Sequence, residues 1–364
     1  MHANETLSPC RPLRGPKRTN LWPLWQEPVY HYQKKPSSCS PMKEDDPIGG
    51  IVPLDYAPPE LSYPGISPQL LARVKQLWSV GGLDFDRHWR AGIRSLPGFR
   101  AVPRVETSAN STEVDLVFLF DQCIIWVRAI HEAANCGFTH QVAGLIPAQW
   151  HGLAALSARL TEQLTALRLL ALTDLPMPAM QIARSISEDV DMALVLLIRR
   201  KLAQRFTDCR TVEEANEFWR RYIAGGRAFR TISEKLYAVG IDHSADTDYA
   251  RWRKTVLATL GAAVHSNALN TRVPARQHGN VLLNDDSLHF ATFRIHELCA
   301  FAQLVEPKLT ETLEVAGLAA AKVEPPAIEF APLAAPLNSI LVNQIQSLAT
   351  SAPPVAPRQA GKRS

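Results

Sequence analysis

Arg184 and Glu188 are charged residues four positions apart in a largely apolar stretch, so a helix would place both on one face. A later segment, Leu260-Gly-Ala-Ala-Val-His-Ser-Asn267, adds His265 as a third polar group. Histidine transfers protons near neutral pH, a carboxylate can orient it or act as a base, and arginine stabilises negative charge on a phosphate. If these side chains meet, the sequence predicts an acid–base site with Arg184, Glu188 and His265 as its catalytic residues.

The same spacing also has a purely structural interpretation. An Arg–Glu pair at positions i and i+4 is an ordinary ion pair of a helix surface, and it contributes only about 0.2–0.5 kcal/mol. The segment from Met192 to Ile198 is apolar on all sides, which predicts that neighbouring helices enclose it. Arg184, Glu188 and Asp191 would then lie at the edge of a buried groove. The sequence leaves open whether the pair is catalytic or structural.

Apolar residues recur at helical spacing through the middle of the chain. Residues 147–172 show the clearest pattern, and a central helix is predicted to follow and to continue to about Phe206. Thr211, followed by acidic residues, predicts the start of another helix. Residues 114–134 fit a buried helix or a pair of strands, because valine, isoleucine and aromatic residues also suit strands. Further helices are predicted at residues 67–78, 227–239, 248–265 and 286–305.

Proline is concentrated toward the ends of this helical region. Thirteen of the 27 prolines lie at or before Pro68, and proline removes a backbone donor and breaks helices. We therefore predict an all-α multi-helix bundle at residues 66–320, with Pro-rich, largely irregular arms at residues 1–65 and 321–364. The second arm contains one short predicted helix, from Leu337 to Leu348.

Composition narrows the kinds of protein that this chain can be. Of its 364 residues 46% are hydrophobic and 20% are charged, so the chain can bury a sizeable core, and its net charge is only +4. Its six cysteines form no Cys-x-x-Cys pair and no glycine-rich phosphate loop occurs, so we predict neither a metal nor a cofactor. The most apolar stretch, Val114–Ile130, contains Asp115, Asp121 and Arg128 and is too polar to span a membrane. With no secretory signal visible, we expect a soluble cytoplasmic protein that does not bind membranes.

Two short segments carry a resemblance to known proteins: Ala183-Arg-Ser-Ile-Ser-Glu188 and, after a long apolar helix and an acidic helix, Ala263-Val-His-Ser-Asn267. They resemble a group of bacterial all-helical proteins of unknown function, which combine an Arg-x-x-x-Glu helix with a distal histidine and are loosely similar to HEPN domains. The resemblance covers about residues 147–307 and implies that Arg184, Glu188 and His265 approach one another.

The resemblance also implies an activity. The protein would cleave RNA or modify nucleotides, in a bacterial defence or toxin system. In that scheme His265 moves protons, Glu188 orients it or acts as the base, and Arg184 binds phosphate. HEPN ribonucleases carry an arginine followed a few residues later by a histidine. Arg272 and His278 have such a spacing, but a proline between them breaks the helix on which the motif sits.

A function of a different class stays open beside this one. The bundle can be a non-catalytic interaction module, in which Arg184 and Glu188 only fix helix packing and the Pro-rich arms bind a partner protein. The cluster Trp219-Arg220-Arg221-Tyr222 could stack bases and bind phosphates, or its arginine stems could simply cover apolar helix surface. His289 and His296 share a helix face, but they could bind a metal only if other helices supplied ligands.

Overall fold

The computed structural model describes residues 59–95, 111–173, 175–243, 247–264, 284–322 and 330–351. The helices of these residues are, in chain order, α1 (Pro59–Ser62), α2 (Pro68–Val80), α3 (Phe85–Ser95), α4 (Ser111–Thr139), α5 (Pro147–Leu172), α6 (Pro176–Ile198), α7 (Arg200–Asp208), α8 (Val212–Tyr222), α9 (Arg227–Ala238), α10 (Asp248–Val264), α11 (Asn284–Val305), α12 (Leu309–Ala321) and α13 (Ala334–Ser351). The described ranges contain no strand, which confirms the predicted all-α class. Residues 114–134 belong to one helix of 29 residues, α4, so the alternative of a strand pair is wrong.

Helices α4, α5 and α6 pack side by side at the centre of the bundle. Asp121 near the start of α4 contacts Arg168 near the end of α5, whereas Gly137 at the end of α4 contacts Trp150 at the start of α5. The two helices are therefore antiparallel. The apolar face predicted for α5 is buried in the core, where its buried leucines are Leu153, Leu156, Leu160, Leu164 and Leu167.

The central helix is interrupted where the sequence predicts continuity. Its predicted run to Phe206 is wrong, because α6 ends and α7 begins on either side of Arg199, which has φ −120° and ψ 86°. The buried side chain of Gln149 lies at this break and donates to the carbonyl oxygens of Leu196 and Leu197, at 3.2 Å and 2.9 Å. A side chain of α5 therefore satisfies backbone groups where the helix ends, a contact that no local pattern signals.

Both ends of the described chain contribute to the core. Helix α13 is longer than the predicted Leu337–Leu348, its apolar face is buried, and its Gln344 accepts a hydrogen bond from Gln122 of α4 at 3.1 Å. The bundle thus extends past the predicted boundary at residue 320. At the other end Tyr63, within the predicted N-terminal arm, is buried and donates its hydroxyl to Asp121 at 2.6 Å.

Some sequence predictions concern parts of the chain beyond these helices. Residues 1–58 and 352–364 of the predicted arms lie outside the described residues. Within the described ranges, none of the helices is sufficiently long and apolar to cross a membrane. The cysteines in those ranges are free thiols: Cys123, Cys136, Cys209 and Cys299.

Candidate functional site

Arg184 and Glu188 form the ion pair that their spacing predicts. Nε of Arg184 donates to Oε1 of Glu188 at 3.2 Å, and the two side chains are 32% and 38% exposed. Water screens a pair this accessible, so it should stabilise the fold by only about 0.2–0.5 kcal/mol. This part of α6 therefore carries an ordinary ion pair at the edge of the bundle.

Arg184 also contacts helix α10. Its Nη1 atom lies so close to Gly261 that a Cβ atom at that position would overlap with it. A glycine at 261 therefore leaves the space that the guanidinium occupies between α6 and α10. His265 lies outside the described residues, since α10 is described as far as Val264. The meeting of Arg184, Glu188 and His265 stays a prediction.

Asp191 has different partners from Arg184 and Glu188, although all three lie on α6. Its Oδ1 atom is 2.5 Å from Nη2 of Arg294 in α11, and its Oδ2 atom accepts from Nη2 of Arg253 in α10. The side chains of Arg294, Arg253 and Asp191 are 1%, 7% and 14% exposed. Asp191 therefore points into the bundle and joins three helices instead of extending the Arg184–Glu188 pair.

Glu297 completes this buried cluster. It accepts from Arg294, three residues earlier on α11, and from the hydroxyl of Tyr249 in α10. Burial alone would raise the pKa of Glu297, but Arg294 and His243 outweigh burial and lower that pKa to about 2. Burial raises the pKa of Tyr249 well above its ordinary value, so its hydroxyl remains a donor.

We call Asp191, Arg253, Arg294, Glu297 and Tyr249 the inner charge network. Its two guanidinium groups balance its two carboxylates, and each carboxylate accepts from more than one donor. Ionised groups can remain ionised away from water when they are paired and hydrogen-bonded in this way. The network therefore has the construction of a polar clamp between α6, α10 and α11.

Ser233 of α9 and His243 in the following loop have part of the geometry of a serine nucleophile. Oγ of Ser233 is 2.9 Å from Nδ1 of His243, and the other ring nitrogen is 3.6 Å from Oε1 of Glu297. However, the hydroxyl also lies 2.6 Å from the backbone oxygen of His243, to which it donates its proton. The hydroxyl proton is therefore engaged with this backbone oxygen and not with Nδ1, so the pair lacks the hydrogen bond by which a histidine activates a serine nucleophile. The contact fastens the loop after α9 to that helix.

The two histidines considered as metal ligands, His289 and His296, have different surroundings. Burial lowers the pKa of His296 to about 4, so the ring is neutral at pH 7, and its Nδ1 is 2.9 Å from the carbonyl oxygen of Thr292. His289 is exposed. In the part of the chain that the structure describes, no three His, Cys, Asp or Glu side chains are placed to hold a metal ion. His296 is thus a core histidine.

A second buried ion pair joins α4 to α5. Nε and Nη2 of Arg168 bind Oδ1 and Oδ2 of Asp121, at 2.7 Å and 3.0 Å, which is the bidentate geometry that arginine and carboxylate favour. Tyr63 supplies a further hydrogen bond to Asp121. Burial raises the pKa of Asp121, and the attraction of Arg168 opposes that rise. Both ions are almost fully buried, so this pair is part of the packing of the core.

Asp189 is a buried carboxylate whose charge is less well stabilised than that of Asp121, because its arginine partner is exposed to water. Its Oδ2 atom is 2.9 Å from Nε of Arg159, whose side chain is 60% exposed, whereas that of Asp189 is 9% exposed. Burial raises the pKa of Asp189 to about 6, although Arg159 and Gln163 act in the opposite direction. At pH 7 the protein therefore keeps an ionised carboxylate in a place that disfavours its charge.

We expect Asp189→Asn to stabilise the protein at pH 7. The pKa of Asp189 in the folded protein is about 6, above the roughly 3.9 of an aspartate in an unfolded chain. Ionisation of Asp189 therefore opposes folding. The stability that the neutral acid contributes is lost as pH rises through 6. Asparagine is neutral at every pH, and the gain should be on the order of 1–2 kcal/mol at pH 7 and shrink toward pH 4. Urea unfolding from pH 4 to 7 measures it, with the exposed Asp208→Asn as control. A loss of stability at pH 7 would mean that Arg159 compensates fully for burial.

Several residues of the inner charge network are not apparent from the sequence. Its members from α10 are Tyr249 and Arg253, and His243 in the loop after α9 lies beside Glu297. A usable signal exists for Arg294 and Glu297, because they interrupt a largely apolar run whose residues are all buried from 290 to 299. Asp121 interrupts an apolar run in the same way. Such a charge must be paired inside the fold, but the run does not indicate with which residue.

Comparisons with known proteins assign no function to these residues. A scan against protein-family models found no match, and neither did searches of curated proteins and of solved structures. The resemblance to HEPN-like helical proteins therefore stays a prediction, and the function is proposed from the geometry of the described residues.

Proposed function

We propose that this chain is a non-catalytic helical interaction module of the cytoplasm. The observation that carries the proposal is the enclosure of the inner charge network. The pKa of Arg294 is raised and that of Glu297 is lowered to about 2, and the two side chains are 1% and 5% exposed. Perturbed groups of a catalytic site normally line a cleft that a substrate can enter. Here they bind one another, as groups that hold helices together do.

The Arg184–Glu188 pair supports the same proposal. Catalytic groups are usually activated by burial or by a charged neighbour, whereas these two side chains are about one-third exposed and paired with each other. Arg184 in addition fills the space above Gly261, so its guanidinium lies between α6 and α10. These contacts fit a side chain that packs at the edge of the bundle.

A second candidate is an RNA-cleaving or nucleotide-modifying domain of a bacterial defence or toxin system. One observation favours it: Arg184 contacts α10 at Gly261, four residues before His265 in the sequence. In that case Arg184 would bind phosphate, Glu188 would orient the histidine, and His265 would transfer the proton.

Incubation with labelled RNA separates the two candidates. We expect the purified protein to leave single-stranded and hairpin RNA intact, and we expect Arg184→Ala, Glu188→Gln and His265→Ala to behave as the wild type does. The double variant Arg184→Ala/His265→Ala, purified in the same way, controls for contaminating ribonuclease. Cleavage by the wild type that disappears in Arg184→Ala and His265→Ala, with unchanged melting temperatures, would contradict the non-catalytic module and establish the second candidate.

A further inference from the structure

Helices α7, α8 and α9 form a basic region of the chain. Residues 199–235 contain ten lysines and arginines against five aspartates and glutamates, whereas the whole chain has a net charge of only +4. This stretch therefore has a net charge of 10 − 5 = +5. Within α8 the charges are also segregated: Glu213 and Glu214 lie in the first turn, and Arg220 and Arg221 lie in the last.

Aromatic and cationic side chains meet where α8 ends. The ring of Tyr222 has two guanidinium groups against it, since the central carbons of Arg205 and Arg221 are each 5.7 Å from the ring centre. Arg205 also donates to the hydroxyl of Tyr222. The indole of Trp219 lies three residues before Tyr222 on the same helix and is 38% exposed. A large aromatic face is therefore presented beside several positive charges.

The turn between α8 and α9 brings a further arginine to this place. Gly225 and Gly226 have left-handed backbone angles, with φ 63° and 78°, and they direct the start of α9 back to the end of α8. Nη1 of Arg227 donates to the carbonyl oxygens of Arg220 and Ala224, both at 2.9 Å. This anchors the guanidinium and leaves its Nε–H and Nη2 donors for another acceptor.

The arginines of this region are not neutralised by neighbouring carboxylates. Among the residues that the structure describes, no salt bridge involves Arg205, Arg220, Arg221 or Arg227. The nearest such pair in the sequence, Arg199 with Glu234, links the start of α7 to α9 instead. Unpaired arginines that are clustered and exposed raise the local concentration of anions and can bind phosphate in a bidentate manner.

We propose that this region, the α7–α9 corner (Arg205, Trp219, Arg220, Arg221 and Arg227), binds single-stranded nucleic acid. Its arginines bind the phosphates and Trp219 stacks on a base, the combination by which proteins hold single strands without regard to sequence. A duplex keeps its base faces inside and offers nothing to the indole. The inference rests on the proposed function and names the partner of the module. RNA and single-stranded DNA share the required chemistry.

Binding to short strands tests the arginines. Fluorescence anisotropy would be measured with labelled strands of about 20 uridines and about 20 thymidines, a length that spans one binding site, at several salt concentrations. In Arg205→Gln/Arg220→Gln/Arg221→Gln we expect affinity near 0.1 M salt to fall by about tenfold or more, and the slope of log affinity against log salt to become shallower by about 2, because each phosphate contact contributes roughly 0.7. The matched control Arg73→Gln/Arg87→Gln/Lys322→Gln removes as much charge from exposed positions elsewhere and should bind as the wild type does.

Replacement of Trp219 tests the stacking separately. Trp219→Ala should weaken binding by about tenfold and leave the salt slope unchanged, since an indole makes no ionic contact. A duplex of equal charge should bind less tightly than either single strand. Melting temperatures of all variants exclude loss of folding as the cause.

Several results would overturn the proposal. The control variant could lose as much affinity for single strands as the triple arginine variant does. The triple arginine variant could keep the affinity of the wild type, or the duplex could bind more tightly than the single strands. Strands recovered after each titration are run on a denaturing gel, so that the non-catalytic function is judged independently. Cleavage of a strand would contradict the non-catalytic function, whatever the variants show. If the strands stay intact and the wild type does not bind them, only the proposed binding at the α7–α9 corner is overturned.

Discussion

Arg294→Met should lower the free energy of unfolding by about 3–5 kcal/mol, the usual loss when one partner of a buried ion pair is removed. Arg294 binds both carboxylates of the inner charge network, Asp191 and Glu297, and its side chain is 1% exposed. Methionine fills much of the same volume without charge, so the loss arises mainly from carboxylates left without a partner. Urea unfolding at pH 7, followed by circular dichroism, measures the effect.

The matched control is Arg184→Met, the same substitution in an exposed ion pair of α6. We expect it to cost no more than about 0.5 kcal/mol. If Arg294→Met does not fold, Glu297→Gln can replace it, because glutamine conserves the shape of glutamate. Glu297→Gln should then lower the free energy of unfolding by more than its control, Glu188→Gln, does. Equal losses at positions 294 and 184 would mean that the inner charge network is open to water, and the proposed function would lose its main support.

Acid should reduce the difference between Arg294→Met and the wild type. In the wild type the pKa of Glu297 is about 2, below the roughly 4.3 of a glutamate in an unfolded chain. The ionised Glu297 therefore stabilises the fold fully above about pH 4.3, and this contribution is lost as pH falls toward 2. Without Arg294, burial raises the pKa of Glu297, and uptake of a proton relieves part of the loss. The deficit of the variant should therefore be smaller at pH 4 than at pH 7. A deficit that does not change with pH would contradict this account.

Asp121→Asn should cause a loss of similar size, about 3–5 kcal/mol, at the interface of α4 and α5. Asparagine has nearly the shape of aspartate, so Arg168 stays in place as a buried cation with no carboxylate opposite it. The hydroxyl of Tyr63 also loses its charged acceptor. Thermal and urea unfolding measure the loss, and Asp86→Asn, at an exposed carboxylate near Lys75, is the control.

The double variant Asp121→Asn/Arg168→Met separates the ion pair from general disturbance of the core. Because Arg168→Met removes the uncompensated cation, the double variant should be more stable than the sum of the two single losses predicts, by about 1–3 kcal/mol. Buried ion pairs replaced as a whole by apolar groups often cost little. Strictly additive losses would show that Asp121 and Arg168 contribute independently of each other.

The helices could be predicted largely from the sequence, because the signals that start and shape a helix are local. The predicted helix at 147–172 is α5 as observed, and Thr211 begins α8 through a reciprocal pair of hydrogen bonds with Glu214, each 3.2 Å long. The break at Arg199 could not be predicted in this way. It is associated with Gln149, a residue about fifty positions earlier, whose side chain reaches the end of α6 only after α5 and α6 have packed.

The ion pairs of Arg184 and of Asp191, both on α6, show the same difference between local contacts and contacts made by packing. Positions 184 and 188 are neighbours on any α-helix, so the sequence by itself determined that contact, as it determined the all-α class and the apolar face of α5. The partners of Asp191 lie 62 and 103 residues away, in α10 and α11, and only the tertiary structure decided them. The physical reason is that the reach of a side chain along its own helix follows from helix geometry. Contact between helices depends instead on which apolar faces pack, the result of many weak interactions distributed over the whole chain.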